Sequence, residues 1–169
     1  MKNSNIKQKQ SILLLKTANE WLDIASKTPP KENLYLDLWK ENEFSLLFAD
    51  NNAGKSIYAV QIGLEISKQK KVAYFDFELS EKQFEERYAE EQEQDGKVIY
   101  THHYQFPETF FRVSINPDFI DIEDFEKQIC ESIENLIIEQ KLEVLIFDNI
   151  TALMMQDSKE TKAVINLIK

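Results

Sequence analysis

The chain has 169 residues, 43% of them apolar and 11% aromatic, enough for one domain with a packed core and too few for two comfortable ones. That composition excludes a disordered chain, and no apolar run approaches the ~20 residues that a membrane helix needs, so no membrane partner is expected. A net charge of −10 argues against a surface built to neutralise duplex phosphates, and the lone cysteine, Cys130, rules out a disulfide framework and makes a cytoplasmic setting the default.

The opening "MKNSNIKQKQSILLLK" is basic, and its apolar patch is too short for a secretory signal. Up to about Lys27 the pattern predicts a helix, with Ile12, Leu15, Trp21, Leu22 and Ile24 available for a packed face. "TPP" at 28–30 ends it, because proline removes an amide donor and restricts the residue before it. Residues 1–33 are therefore expected to be a helical extension, and 34–169 the core. "NLYLDLW" (33–39) alternates leucines and suits either a strand or a docking turn.

From Phe44 the pattern sharpens. "FSLLF" (44–48) predicts a short buried strand, and "ADNNAGKS" (49–56) follows it. A helix pattern then sets Ile57, Val60 and Leu64 on one side, with Gly63 suited to close packing. "KVAYFDFE" (71–78) predicts a second strand, and "SEKQFEERYAEEQEQ" (80–94) an acidic helix opened by Ser80 as N-cap. "YTHHYQFPE" (100–108) is irregular, and "FFRVSI" (110–115) predicts a third strand. A long helix is expected from Asp121, with Ile122, Phe125, Ile129, Ile133, Leu136 and Ile137 spaced by three and four. "LEVLIFDNI" (142–150) is a β-branched strand up to Asp148, and a last helix is expected over 159–169. Strands alternating with helices imply an α/β fold with a mostly parallel sheet and a ligand at the carboxyl ends of its strands.

The loop 49–56 is where chemistry concentrates. A phosphate-binding loop turns consecutive backbone amides towards an anion at the start of a helix. In that reading Ala49, Asp50, Asn51, Asn52, Ala53 and Gly54 form the cradle. Lys55 reaches the β- and γ-phosphates, and the Ser56 hydroxyl ligates magnesium. Ala49 stands where the strict pattern asks for glycine. The competing reading is a capped helix start built from ordinary turn residues. Two downstream carboxylates favour the first reading. Asp148 ends an apolar strand, as a magnesium-assisting carboxylate should, and Glu78 ends another, where it can orient or deprotonate an attacking water. Glu78 also suits a solvated acidic face with Glu81, Glu85 and Glu86. His102 and His103 lack ligand partners at metal spacing, and Trp21 and Trp39 are better core anchors than base-stacking platforms.

Together, Lys55, Ser56, Glu78 and Asp148 give the chain a resemblance to the RecA-like P-loop ATPases of the AAA family, and more narrowly to the ring-forming replicative helicases of the DnaB and RepA type. "FELSEKQFEERY" is similar to the helicase segment with a catalytic Glu followed by Leu, Ser, Gln and Arg, here Glu78, Leu79, Ser80, Gln83 and Arg87. "VLIFDNITAL" resembles the Walker B strand, with its aspartate on Asp148, and "ADNNAGKS" the Walker A loop. The resemblance covers residues 34–155. It implies a RecA-like three-layer sandwich, ATP and Mg2+ as ligands, hydrolysis with Glu78 as base, a homo-oligomeric ring and single-stranded DNA as partner. In that family a sensor strand and the arginine fingers come after Walker B, so the core is expected to be incomplete at its C-terminus. Arg87 and Arg112 lie upstream of a finger's place, and neither role carries over to them. The alternative function is a nucleotide-binding or assembly module without productive turnover.

Overall fold

A computed structural model of the chain describes residues 13–50, 52–116 and 125–148. Ile12, Asn51, the helix start expected at Asp121 with Ile122, Asn149 and the helix expected over 159–169 lie outside those residues. The chain divides into two compact units, Met1–Glu32 and Asn33–Lys169.

The first unit contains helix α1 (Ala18–Ser26), which begins with a reciprocal cap. Thr17 Oγ1 accepts the Glu20 N–H at 3.3 Å, and the Glu20 carboxylate accepts the Thr17 N–H at 2.7 Å. The expected packed face is uncovered: Trp21, Leu22 and Ile24 are all exposed.

The second unit opens with a hairpin, β1 (Asn33–Tyr35) and β2 (Trp39–Lys40), with Leu36 at φ 49° in the turn. So "NLYLDLW" resolves as two short antiparallel strands, with the Trp39 indole N–H donating to the Glu43 carbonyl. The expected strand 44–48 does not form. Phe44, Leu46, Leu47 and Phe48 are exposed, and no described strand supplies the run with a ladder partner.

Helix α2 (Lys55–Ser67) follows, then β3 (Val72–Asp76), all five of whose residues are buried. Helix α3 (Glu81–Arg87) is closed by Tyr88. The acidic helix expected over 80–94 therefore stops halfway, and Glu90 starts an antiparallel hairpin of β4 (Glu90–Gln94) and β5 (Lys97–Thr101). Its turn explains the reversal. Asp95 and Gly96 both have positive φ, 54° and 72°, the conformation that a two-residue Asp-Gly turn needs, and Val98, Ile99 and Thr101 then supply β-branched residues. Pairing outweighs the helix preference of the glutamates and glutamines.

Strand β6 (Phe110–Val113), helix α4 (Phe125–Gln140) and strand β7 (Val144–Asp148) complete the described elements. β6, β3 and β7 form a parallel sheet in that order, with Val72 opposite Phe110 and Val144, and Asp76 opposite Asp148. The observed class is mixed α/β with a parallel sheet.

Alternation along β3 splits the core into two layers. Val72 and Tyr74 join Val60 and Ile66 of α2, Phe110 and Val144 on one face. Ala73 and Phe75 join Ile133 of α4 and Leu142 on the other. Gly63 allows α2 to lie close to the sheet: a Cβ there would stand 2.7 Å from Phe110 Cε2 and 3.0 Å from Ile146 Cδ1.

Candidate functional site

The direction of α2 fixes where its N-terminus opens. Its last residue, Ser67, is joined by four residues to the start of β3, and the Ser67 carbonyl accepts the Thr109 hydroxyl at 2.6 Å just ahead of β6. The C-terminus of α2 is therefore at the amino edge of the sheet. Thirteen helical residues extend roughly 20 Å, against roughly 17 Å for a five-residue strand. The helix thus begins at the carboxyl edge, level with the ends of β3 and β7.

There the loop has a particular shape. Gly54 sits at φ 83° as the N-cap of α2, a left-handed conformation that costs glycine little, and Asn52 is also left-handed at 61°. Gly54 provides no side-chain cap, so the first amides of α2 are not satisfied by a hydroxyl or carboxylate. The Lys55 ammonium turns back into the loop and donates to the carbonyls of Ala49 and Asp50, each at 2.8 Å. The Ala53 N–H donates to the Asp50 carbonyl. Ala49, Asp50, Asn52, Ala53 and Gly54 are exposed, whereas Lys55 and Ser56 are half-buried in the first turn.

Three carboxylates meet the same edge. Asp148 ends β7, half-buried, and its Oδ2 accepts the Tyr74 hydroxyl at 2.5 Å. Burial first, and then this hydrogen bond, push the Tyr74 phenol well above its ordinary pKa, so it remains a donor. Asp76 is opposite Asp148 in the register and 2% exposed. Its Oδ2 accepts from Arg112 Nε at 3.0 Å, and its Oδ1 accepts the backbone N–H groups of Glu78 and Leu79 at 3.3 and 3.0 Å. The third, Glu78, is exposed two residues beyond the strand. Its predecessor Phe77 extends the ladder, donating to the Asp148 carbonyl at 2.9 Å.

Sequence reasoning did not single out Tyr74 or Asp76, and it named Arg112 only to set aside a finger role. The signal for Asp76 was its place two residues before Glu78, which puts an acid on the same strand face as Tyr74. His103 is exposed and pairs with Glu85 at 2.9 Å, and Lys82 with His103 holds the Glu85 carboxyl below its usual range.

Magnesium takes few protein ligands when phosphates and waters complete its octahedron. One hydroxyl, Ser56, and one carboxylate, Asp148, are a donor set of that kind. Among the described residues no group of three or more His, Cys, Asp or Glu side chains could hold a metal. The uncapped amides of α2 and the Lys55 ammonium are the matching donors for a phosphate chain. A cavity of about 240 Å³ lies on the opposite face, lined by Phe75, Val113, Ile129 and Leu136 among others, and none of the loop residues borders it.

These features define a parallel α/β domain with a glycine-turned loop entering a helix at the carboxyl edge. A family model described as an AAA domain matches residues 10–169. The chain belongs to that family, AAA-type P-loop ATPases, whose members are nucleotide-binding and take ATP. Neither a curated protein nor a solved structure matches the chain. No helix among the described residues is long and apolar enough to cross a membrane.

Proposed function

We propose that residues 34–169 are a RecA-like core that binds and hydrolyses ATP with magnesium, with residues 1–33 as an extension. The observation that carries this reading is the uncapped, Gly54-turned start of α2, at the edge where β7 ends in Asp148 and Glu78 stands exposed beyond β3. The amides of loop 49–56 hold the phosphate chain, and Lys55 exchanges its two loop carbonyls for phosphate oxygens. The Ser56 hydroxyl and the Asp148 carboxylate would hold a magnesium ion, which would supply charge neutralisation for phosphoryl transfer. Glu78 orients an attacking water and takes its proton.

The motifs Glu78-Leu79-Ser80, Gln83 and Arg87 support a replication or mobile-element ATPase of the helicase type, cytoplasmic, working as a homo-oligomeric ring on single-stranded DNA. In a second reading, binding without productive turnover, Arg112 has a structural part only, engaged with Asp76 and the Leu79 carbonyl.

Calorimetric titration of ATP, with and without magnesium, tests the site. Lys55→Ala should abolish binding. Glu78→Gln should preserve binding and lower turnover about 10²–10⁴-fold, the usual contribution of a general base. Unchanged ATP affinity in Lys55→Ala removes the loop assignment. Turnover with and without single-stranded DNA separates the two readings.

A further inference from the structure

Glu78 presents an exposed carboxylate from a backbone that is held at every peptide around it. The Phe77 N–H is bonded to β7, and the N–H groups of Glu78 and Leu79 both converge on Asp76 Oδ1. In the next peptide unit, Arg112 Nη2 donates to the Leu79 carbonyl at 2.7 Å while its Nε holds Asp76 Oδ2. One buried ion pair thus grips both polar ends of Leu79. The side chains are 1% exposed for Asp76 and 17% for Arg112. The guanidinium also lies 4.5 Å from the centre of the Phe84 ring, in α3. Its position is therefore fixed from two elements at once, by carboxylate and carbonyl on one side and by an aromatic face on the other.

The Glu78 side chain makes no part of this grip. A turn that left the sheet without it would have three backbone groups seeking partners and several positions available to residue 78. Fixing the peptide removes that freedom while leaving the carboxylate in solvent.

We propose that Asp76 and Arg112 are positioning residues for Glu78: their ion pair clamps the 77–79 turn so that the Glu78 carboxylate is held ready towards the terminal phosphate and its attacking water. This rests on the reading of Glu78 as the base given above. Neither residue touches nucleotide. Both act through the backbone, so their loss should damage the chemical step and leave nucleotide binding, which depends on Lys55, in place.

The test uses the full chain with Asp76→Asn, Arg112→Lys and Glu78→Gln, singly and combined. ATP affinity is read by calorimetry, turnover by phosphate release, and amide hydrogen exchange by NMR. Asp76→Asn puts an amide donor against Arg112. Arg112→Lys keeps the cation but loses the fork that spans Asp76 and Leu79, and it carries the test if Asp76→Asn does not fold. Each is expected to lower kcat about 10–100-fold, the scale of a reacting group displaced by about 1 Å, with the ATP dissociation constant within about 2-fold. Neither should lower the rate further when added to Glu78→Gln. In Arg112→Lys the Glu78 and Leu79 amides should exchange at least about 10-fold faster, while Ala73 and Phe75 keep their protection.

Unchanged exchange at Glu78 and Leu79, or an unchanged rate beside a slow Glu78→Gln, overturns the positioning role alone. Losses that add to that of Glu78→Gln, or that fall equally on affinity, overturn it in favour of a structural ion pair. If the unaltered chain hydrolyses no ATP, or Glu78→Gln turns over as fast as the unaltered chain, the reading of Glu78 fails and the positioning role fails with it.

Discussion

Tyr74 is a phenol enclosed by the sheet and α2, 1% exposed, with its only polar atom aimed at Asp148. Burial keeps it protonated, so the Asp148 carboxylate always faces a donor. Tyr74→Phe should remove that restraint without changing the packing volume. A hydrogen bond to a charged group contributes about 1.5–3 kcal/mol, and the half-exposed Asp148 recovers part of this by hydration, so the expected loss of stability is about 1–2 kcal/mol. Urea denaturation measures it, and titration with and without magnesium should reveal a weaker magnesium enhancement of ATP binding. The strand predicted over "KVAYFDFE" contains Tyr74 but assigns it no partner. Nothing local could reveal that its hydroxyl meets an aspartate 74 positions away, because that contact exists only once β3 and β7 are paired in register.

Secondary elements were legible where one local force dominated. The strands containing Val72–Asp76, Phe110–Val113 and Val144–Asp148 are apolar and β-branched or aromatic, and each falls where the pattern predicts it. The second half of the acidic helix was misread because a two-residue turn, Asp95-Gly96, redirected residues whose own preference is helical. Gly63 was legible as a close-packing position, and it supports a quantitative expectation. Gly63→Ala gains about 1 kcal/mol of helix propensity but drives a methyl group into Phe110 and Ile146, an overpacking cost of about 1–3 kcal/mol. The net should be a destabilisation of about 1 kcal/mol, rising to about 3 kcal/mol for the bulkier Gly63→Val, measured by thermal or chemical unfolding.

The α1 cap makes a prediction of the opposite kind, in pH. The Thr17 amide and hydroxyl hold the Glu20 carboxyl below its ordinary value. A depressed folded pKa gives stability that is complete above the unfolded value and lost as pH falls through the folded one. The first turn of α1 should therefore loosen at acid pH, seen as faster exchange of its amides, and Glu20→Gln should flatten that dependence by keeping the cap without the charge.

The assembled fold answers what the pieces could not. Periodicity identified a sheet with parallel strands and the edge at which a ligand belongs, and α2 delivers Gly54 and Lys55 to that edge because its far end is tied to Thr109 at the other. The run 44–48 was read as a strand from its apolar content alone. Apolar residues specify burial only when a neighbour offers a ladder, and no described strand offers one here. Tyr74 and Asp76 escaped notice, and Arg112 was noticed only as a finger candidate to be set aside, for the same reason: each owes its role to a partner on another strand or beyond a turn.

Lys55 is already seated, with its ammonium between the carbonyls of Ala49 and Asp50. On the proposed reading an incoming ligand would meet a competitor inside the protein, and binding would be an exchange of two neutral acceptors for charged ones. The gain is the difference between the two sets of bonds rather than the whole of either. A bare nucleoside, with no anion to offer, has nothing with which to displace the carbonyls. A phosphate chain long enough to reach the ammonium and the α2 amides together does. If the loop takes the phosphate chain as proposed, it would act as a threshold that ranks ligands by the number of phosphates they carry, before any contact with the base contributes.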